Sequence, residues 1–102
     1  MINITIYNGG YSVIGHAEFA EHGQDIVCAA ISAIAQTALL GLNKYCKVVS
    51  QVEGGDMTVL FVPNDESITI IDTMLMGLKE VEREYPNHVK IQEEINEQTT
   101  WF

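Results

Sequence analysis

The residues able to supply a nucleophile and a base are two cysteines, Cys28 and Cys46, and three histidines, among them His16 and His22. Cys28 stands three positions after Asp25, at the head of a long apolar run. Asp25 is a good N-cap for a helix starting there, since its carboxylate can accept a backbone N–H of the first turn. Cys28 then falls in that turn, where the positive end of the helix dipole stabilises a thiolate, the reactive form of the side chain. The plainer reading is a small buried hydrophobe, the usual fate of a free cysteine. A nucleophilic thiolate also needs a neighbouring base that takes its proton and returns it to a leaving amine. His16, between Gly15 and Ala17, reads as part of a strand. His22 lies in the loop that follows. A strand holds a side chain more firmly than a loop, which favours His16 as the base.

Helix spacing adds Ser32 and Gln36 to Cys28, four residues apart on one stripe of an otherwise apolar helix. Polar groups on a buried helix need partners or a cavity, so the stripe could line a site. The alternative is a Ser32 bonded back to a helix carbonyl and an exposed Gln36. The spacing of His16, His22 and Cys28 fits no zinc pattern and lacks a fourth ligand, so no metal is expected. There is no glycine-rich phosphate loop, because the Gly-Gly pairs belong to hairpin turns, and no cofactor is expected. Cys46 opens a strand beside Lys47, with neither cap nor histidine next to it in sequence, and reads as structural.

These residues must be positioned by the surrounding elements. Ile2, Ile4 and Ile6 alternate with Asn3 and Thr5, the period of a half-buried strand. Asn8-Gly9-Gly10 is turn chemistry, and Tyr11 to Phe19 returns as a second strand. Ala20 to Gln24 is a loop. A helix follows from Ile26 to about Leu42, ending near Gly41 or Asn43. Lys47–Glu53 and Met57–Val62 form a second hairpin around Gly54-Gly55-Asp56, and Pro63-Asn64-Asp65 stops it. A second helix runs from about Glu66 to Tyr85, with Ile68, Ile71, Leu75, Leu78 and Val81 on one face. Val89 and Ile91 suggest a short final strand beyond Pro86. The order strand-strand-helix-strand-strand-helix-strand predicts an α+β (mixed α/β) domain, with two helices packed on one sheet. The first helix is apolar nearly all round and should be buried on most sides, for which a homodimer contact is one solution.

The 102 residues are the size of one domain with one core. Five basic residues against fourteen acidic ones give a net charge of -9, which argues against direct nucleic-acid binding. The charge suits a basic protein or peptide partner, or serves solubility alone. Two cysteines are too few for a disulfide framework and no secretory signal is evident, so a reducing, cytoplasmic setting is expected. The stretch Ile26 to Leu42 is alanine-rich and broken by Ser32, Gln36, Thr37 and Gly41, which suits a core helix better than a membrane span.

The segment Gly15-His16-Ala17, then Gly23, then Asp25-Ile26-Val27-Cys28-Ala29-Ala30 and Ser32-Ala33, strongly resembles the ribosomal-processing cysteine protease (Prp) family. Length, the Asn-Gly-Gly hairpin and the order of elements extend the resemblance along the whole chain. The resemblance implies a catalytic dyad of Cys28 and His16, with Asp25 and Ser32 in supporting positions. It implies a mobile substrate loop from Phe19 through Ala20, Glu21, His22 and Gly23 to Gln24, and a homodimer. It also implies the reaction: removal of the N-terminal extension of large-subunit ribosomal protein twenty-seven, cut after a Phe-Phe pair. The partner would then be a ribosomal protein precursor acting as peptide substrate. Two other functions compete: a non-catalytic dimeric assembly factor that binds a ribosomal protein, and a thiol redox sensor using Cys46 to resolve Cys28.

Overall fold

A computed structural model describes residues 1–20 and 25–94. The elements follow in the order β1 (Ile2–Tyr7), β2 (Gly10–Ile14), α1 (Ile26–Tyr45), β3 (Val48–Glu53), β4 (Asp56–Phe61), α2 (Asp65–Glu84) and β5 (Val89–Glu94). The strands form one five-stranded mixed sheet in the order β3-β4-β2-β1-β5. Strand β1 is antiparallel to β2 but parallel to β5, with Ile2 opposite Val89 and Ile4 opposite Ile91. The fold is the expected α+β arrangement of two helices on one sheet.

The core lies between the helices and one sheet face. Strand alternation sends Ile2, Ile4 and Ile6, then Tyr11 and Val13, then Met57, Val59 and Phe61 into it. Helix α1 answers with Val27, Ile31, Ala35, Ala38 and Leu42, and α2 with Ile71, Met74 and Leu78. The Tyr11 hydroxyl, fully buried, donates to the Ala35 carbonyl at 2.8 Å, satisfying the one polar atom its burial would strand. Burial also pushes the Tyr11 phenol well above its ordinary range.

Three expectations need correction. Strand β2 ends at Ile14 instead of running to Phe19. Gly15 takes a φ of +97°, and a Cβ there would meet the Met1 carbonyl oxygen at 2.6 Å, so the chain turns out of the sheet at a point only glycine accepts. Helix α1 continues through Gly41 to Tyr45. Gly41 serves helix packing rather than termination, since its Cβ would stand 3.3 Å from the Ile70 side chain of α2. The helix stops where Cys46 turns extended while its N–H still bonds the Leu42 carbonyl at 2.7 Å. Finally, α1 is buried along one stripe, not on most sides. One sheet face and one neighbouring helix cover a single side of it, leaving Ile26 58% and Leu40 72% exposed. Helix α1 is also long and apolar enough, by length and composition alone, to cross a membrane.

Candidate active site

The start of α1 is organised by Asp25. Its Oδ1 accepts from both the Val27 and Cys28 N–H groups at 3.0 Å, while Oδ2 accepts from the Phe19 N–H at 3.0 Å. One carboxylate therefore caps the helix and ties down the segment arriving from β2. Desolvation pushes the Asp25 carboxyl upward, but hydrogen bonds from the Cys28, Phe19 and Ala20 backbone and from the Cys28 side chain outweigh it. The net effect holds the group below its ordinary value.

Cys28 is half-buried in the first turn, as its spacing from Asp25 predicts. Its Sγ accepts a hydrogen bond from the Ala17 N–H at 3.2 Å. The sulfur thus lies at the helix N-terminus with a backbone donor aimed at it. The Val27 and Cys28 amides, obvious candidates for stabilising an oxyanion, are both occupied by Asp25. The amide that does meet the sulfur comes from the neighbouring segment.

His16 is not a strand residue. It is exposed just past the Gly15 turn, and the Gly15 N–H is anchored to Asp56 Oδ1 at 2.9 Å. This anchor joins the His16 segment to the β3–β4 hairpin. His16 and Cys28 do not hydrogen-bond to each other; both line one cleft of about 340 Å³. Separation of this kind is common before a substrate draws catalytic groups together. Ser32 and Asp25 line the same cleft, whose apolar lining includes Ile2, Val13, Ile31, Ala35 and Met57. Ser32 Oγ accepts from Gln36 Nε2 at 2.8 Å, so these two members of the stripe are partnered to each other and Ser32 does not bond back to the helix. Phe19 and Ala20 are exposed, and Glu21, His22, Gly23 and Gln24 lie outside the described residues.

Two parts of the site escaped the sequence reading. Gly54 and Gly55, read as no more than a hairpin turn, line the cleft, with Gly55 beside the His16 ring. His88, between α2 and β5, places its Nδ1 2.8 Å from the Ala17 carbonyl. No local motif marks it, because it meets the site only through the tertiary fold. Among the described residues, no group of three or more His, Cys, Asp or Glu side chains could hold a metal ion.

Comparison with known proteins defines the class. Residues 1–90 match the family described as cysteine protease Prp. The ribosomal processing cysteine protease Prp of Staphylococcus aureus (strain NCTC 8325 / PS 47) is 35% identical over 83 residues, covering 76% of this chain and 78% of its own. The Mycoplasma pneumoniae protein of the same name is 32% identical over 100 residues, covering 92% and 96% respectively. Among solved structures, the essential ribosomal processing protease Prp from S. aureus, in complex with a covalently linked product peptide, superposes with a TM-score of 0.86. The match is at 27% identity and covers 92% of this chain and all of that one. The same S. aureus protease with a substrate peptide gives a TM-score of 0.80 at 25% identity over 92% of this chain. The chain belongs to the Prp family of cysteine proteases. It is accordingly an enzyme, a protease of the cysteine class concerned with ribosomal processing.

Proposed function

We propose that this protease removes the N-terminal extension of large-subunit ribosomal protein twenty-seven, with Cys28 as nucleophile and His16 as base. The observation that carries the assignment is one cleft lined by both residues, in which the Cys28 sulfur lies at a capped helix start and accepts an amide hydrogen bond. His16 takes the thiol proton as Sγ attacks the scissile carbonyl. The tetrahedral intermediate collapses with C–N cleavage, and His16 returns the proton to the leaving amine. Water, deprotonated by His16, then hydrolyses the thioester and restores the thiol. Asp25 fixes the helix start and the approach of the His16 segment, and Ser32 lines the cleft beyond Cys28.

The surroundings of the cleft support this substrate class. Val13, Ile31 and Met57 give the cleft an apolar side suited to an aromatic residue next to the scissile bond. Glu53 and Asp56 flank the Gly54-Gly55 turn at its wall, and the whole chain carries a charge of -9. Both suit a basic ribosomal protein. The exposed Ile26 and Leu40 on α1 and Met76 on α2, with an apolar groove of about 530 Å³ between the two helices, support a homodimer. Two free cysteines support a cytoplasmic setting, where the substrate would be made.

The test is cleavage of a peptide carrying that extension by wild type, H16A and C28A in parallel. Cutting after the Phe pair by wild type alone is the expected result. Full cleavage by C28A would overturn the dyad. Binding without cutting by all three would favour the assembly-factor reading.

A further inference from the structure

We infer that His88 is a positioning residue for the cysteine, acting through the Ala17 segment; the inference rests on the proposed role of Cys28. The backbone of His88 is held on both sides: its N–H donates to the Tyr85 carbonyl at 3.0 Å, and its carbonyl accepts from the Ile2 N–H at 2.9 Å. This places the ring at the joint between α2, β5 and the first strand. Nδ1 lies 2.8 Å from the Ala17 carbonyl oxygen. A carbonyl can only accept, so Nδ1 carries the proton and donates. The ring also stands edge-on to Phe19 at 5.4 Å, and Phe19 stands edge-on to Tyr85 at 5.3 Å.

The segment held in this way is short and strained. Ala17 is 1% exposed and is hydrogen-bonded on both sides: its N–H to Cys28 Sγ at 3.2 Å, its carbonyl to His88. Glu18 follows with a φ of +58°, a conformation that a residue bearing a side chain rarely adopts. Phe19 is then fixed by its N–H on Asp25 Oδ2. The Ala17 amide points at the sulfur because the carbonyl three bonds further along is held by a group 71 residues away in sequence. Without the His88 donor, a buried carbonyl loses its partner and the Glu18 turn loses one of its restraints. Ala17 then moves relative to Sγ, and the adjacent His16 moves with it. A displacement of about 1 Å costs about 10²-fold in rate when the moved groups sit beside the reacting atoms.

Three variants of the full chain separate the parts. H88F keeps a ring for Phe19 but has no donor. H88N returns an N–H where Nδ1 stood. H88A removes both. For H88F, kcat on the extension peptide should fall by about 10- to 100-fold. KM should change by less than about twofold, because the lost interaction aligns the reacting groups rather than holding substrate. Alkylation of Cys28 by iodoacetamide, resolved by mass spectrometry, should slow several-fold while that of Cys46 does not change. H88N should recover most of both losses, and H88A should match or exceed H88F. Wild-type kcat and Cys28 alkylation in a folded H88F would overturn the inference, as would equal impairment of H88F and H88N. If H88F fails to fold, the wild type decides: its His88 must show the Nδ1–H tautomer in a ¹⁵N–¹H long-range spectrum, and an Nε2–H tautomer would overturn the inference. Alkylation and tautomer need no substrate, so failure of the protease assignment, seen as no cleavage by wild type, is distinguishable from failure of the role of His88.

Discussion

The two cysteines sit beside the two helix starts, yet their sulfurs meet different parts of the molecule. Cys28, in the first turn of α1, accepts a hydrogen bond from the Ala17 N–H at 3.2 Å. Cys46, just past the end of α1, donates to Oδ1 of Asn64, the cap of α2, at 3.4 Å. The first sulfur meets a backbone donor from the segment that carries His16, and the second hands its proton to the cap of a scaffold helix. The caps differ in the same sense. Asn64 forms a capping box closed on its own helix by Ser67, and its Nδ2 donates to the Tyr45 carbonyl, so it joins α1 to α2. Asp25 instead spends its second oxygen on Phe19, part of the segment that carries His16. One helix start is closed on scaffold, and the other is open to a cleft. Half-burial, shared by both cysteines, does not separate them; the segment each sulfur is bonded to does.

This contrast orders the expected effects. Replacing the nucleophile is largest: C28A should lower cleavage by about 10³-fold or more, whereas C46A should leave it within about twofold. H16A should cost about 10²- to 10⁴-fold, the usual worth of a general base. The caps give the smaller test. D25A and N64A should each lose about 1 kcal/mol of stability in chemical denaturation. Only D25A should also reduce cleavage, because Asn64 touches nothing in the cleft. A pH series sharpens the difference further. Asp25 is held below its ordinary value of 3.8, so its contribution is present in full above that pH and is lost as pH falls through the lower folded-state value. The stability gap between wild type and D25A should therefore narrow in strong acid. The gap for N64A, whose cap does not titrate, should not.

Much of this was legible in residue order. The alternation of Ile2, Ile4 and Ile6, the Asp25-to-Cys28 spacing and the apolar face of α2 each reflect local geometry, and the structure places them as expected. Cys28 rests on the same local spacing, whereas His16, favoured as a strand residue, lies past the Gly15 turn and still lines the same cleft. The misreadings came where a tertiary contact overrode a local signal. Gly15 ends β2 because the Met1 carbonyl leaves no room for a side chain, and Gly41 stays helical because Ile70 packs against it. Cys46 has no cap beside it in sequence because its partner Asn64 lies eighteen residues away. His88 reaches Ala17, and the Gly54-Gly55 wall reaches the cleft, only through the tertiary fold, and no spacing rule spans such distances. Within one chain α1 is buried along a single stripe, because one sheet face and one helix are what covers it.

The most direct measurement is the site-resolved alkylation rate of both cysteines in the native protein at neutral pH, for wild type and H16A. Cys28 should react at least about tenfold faster than Cys46, and H16A should slow Cys28 alone. Equal rates, or a faster Cys46, would contradict the assignment of Cys28 as the activated nucleophile.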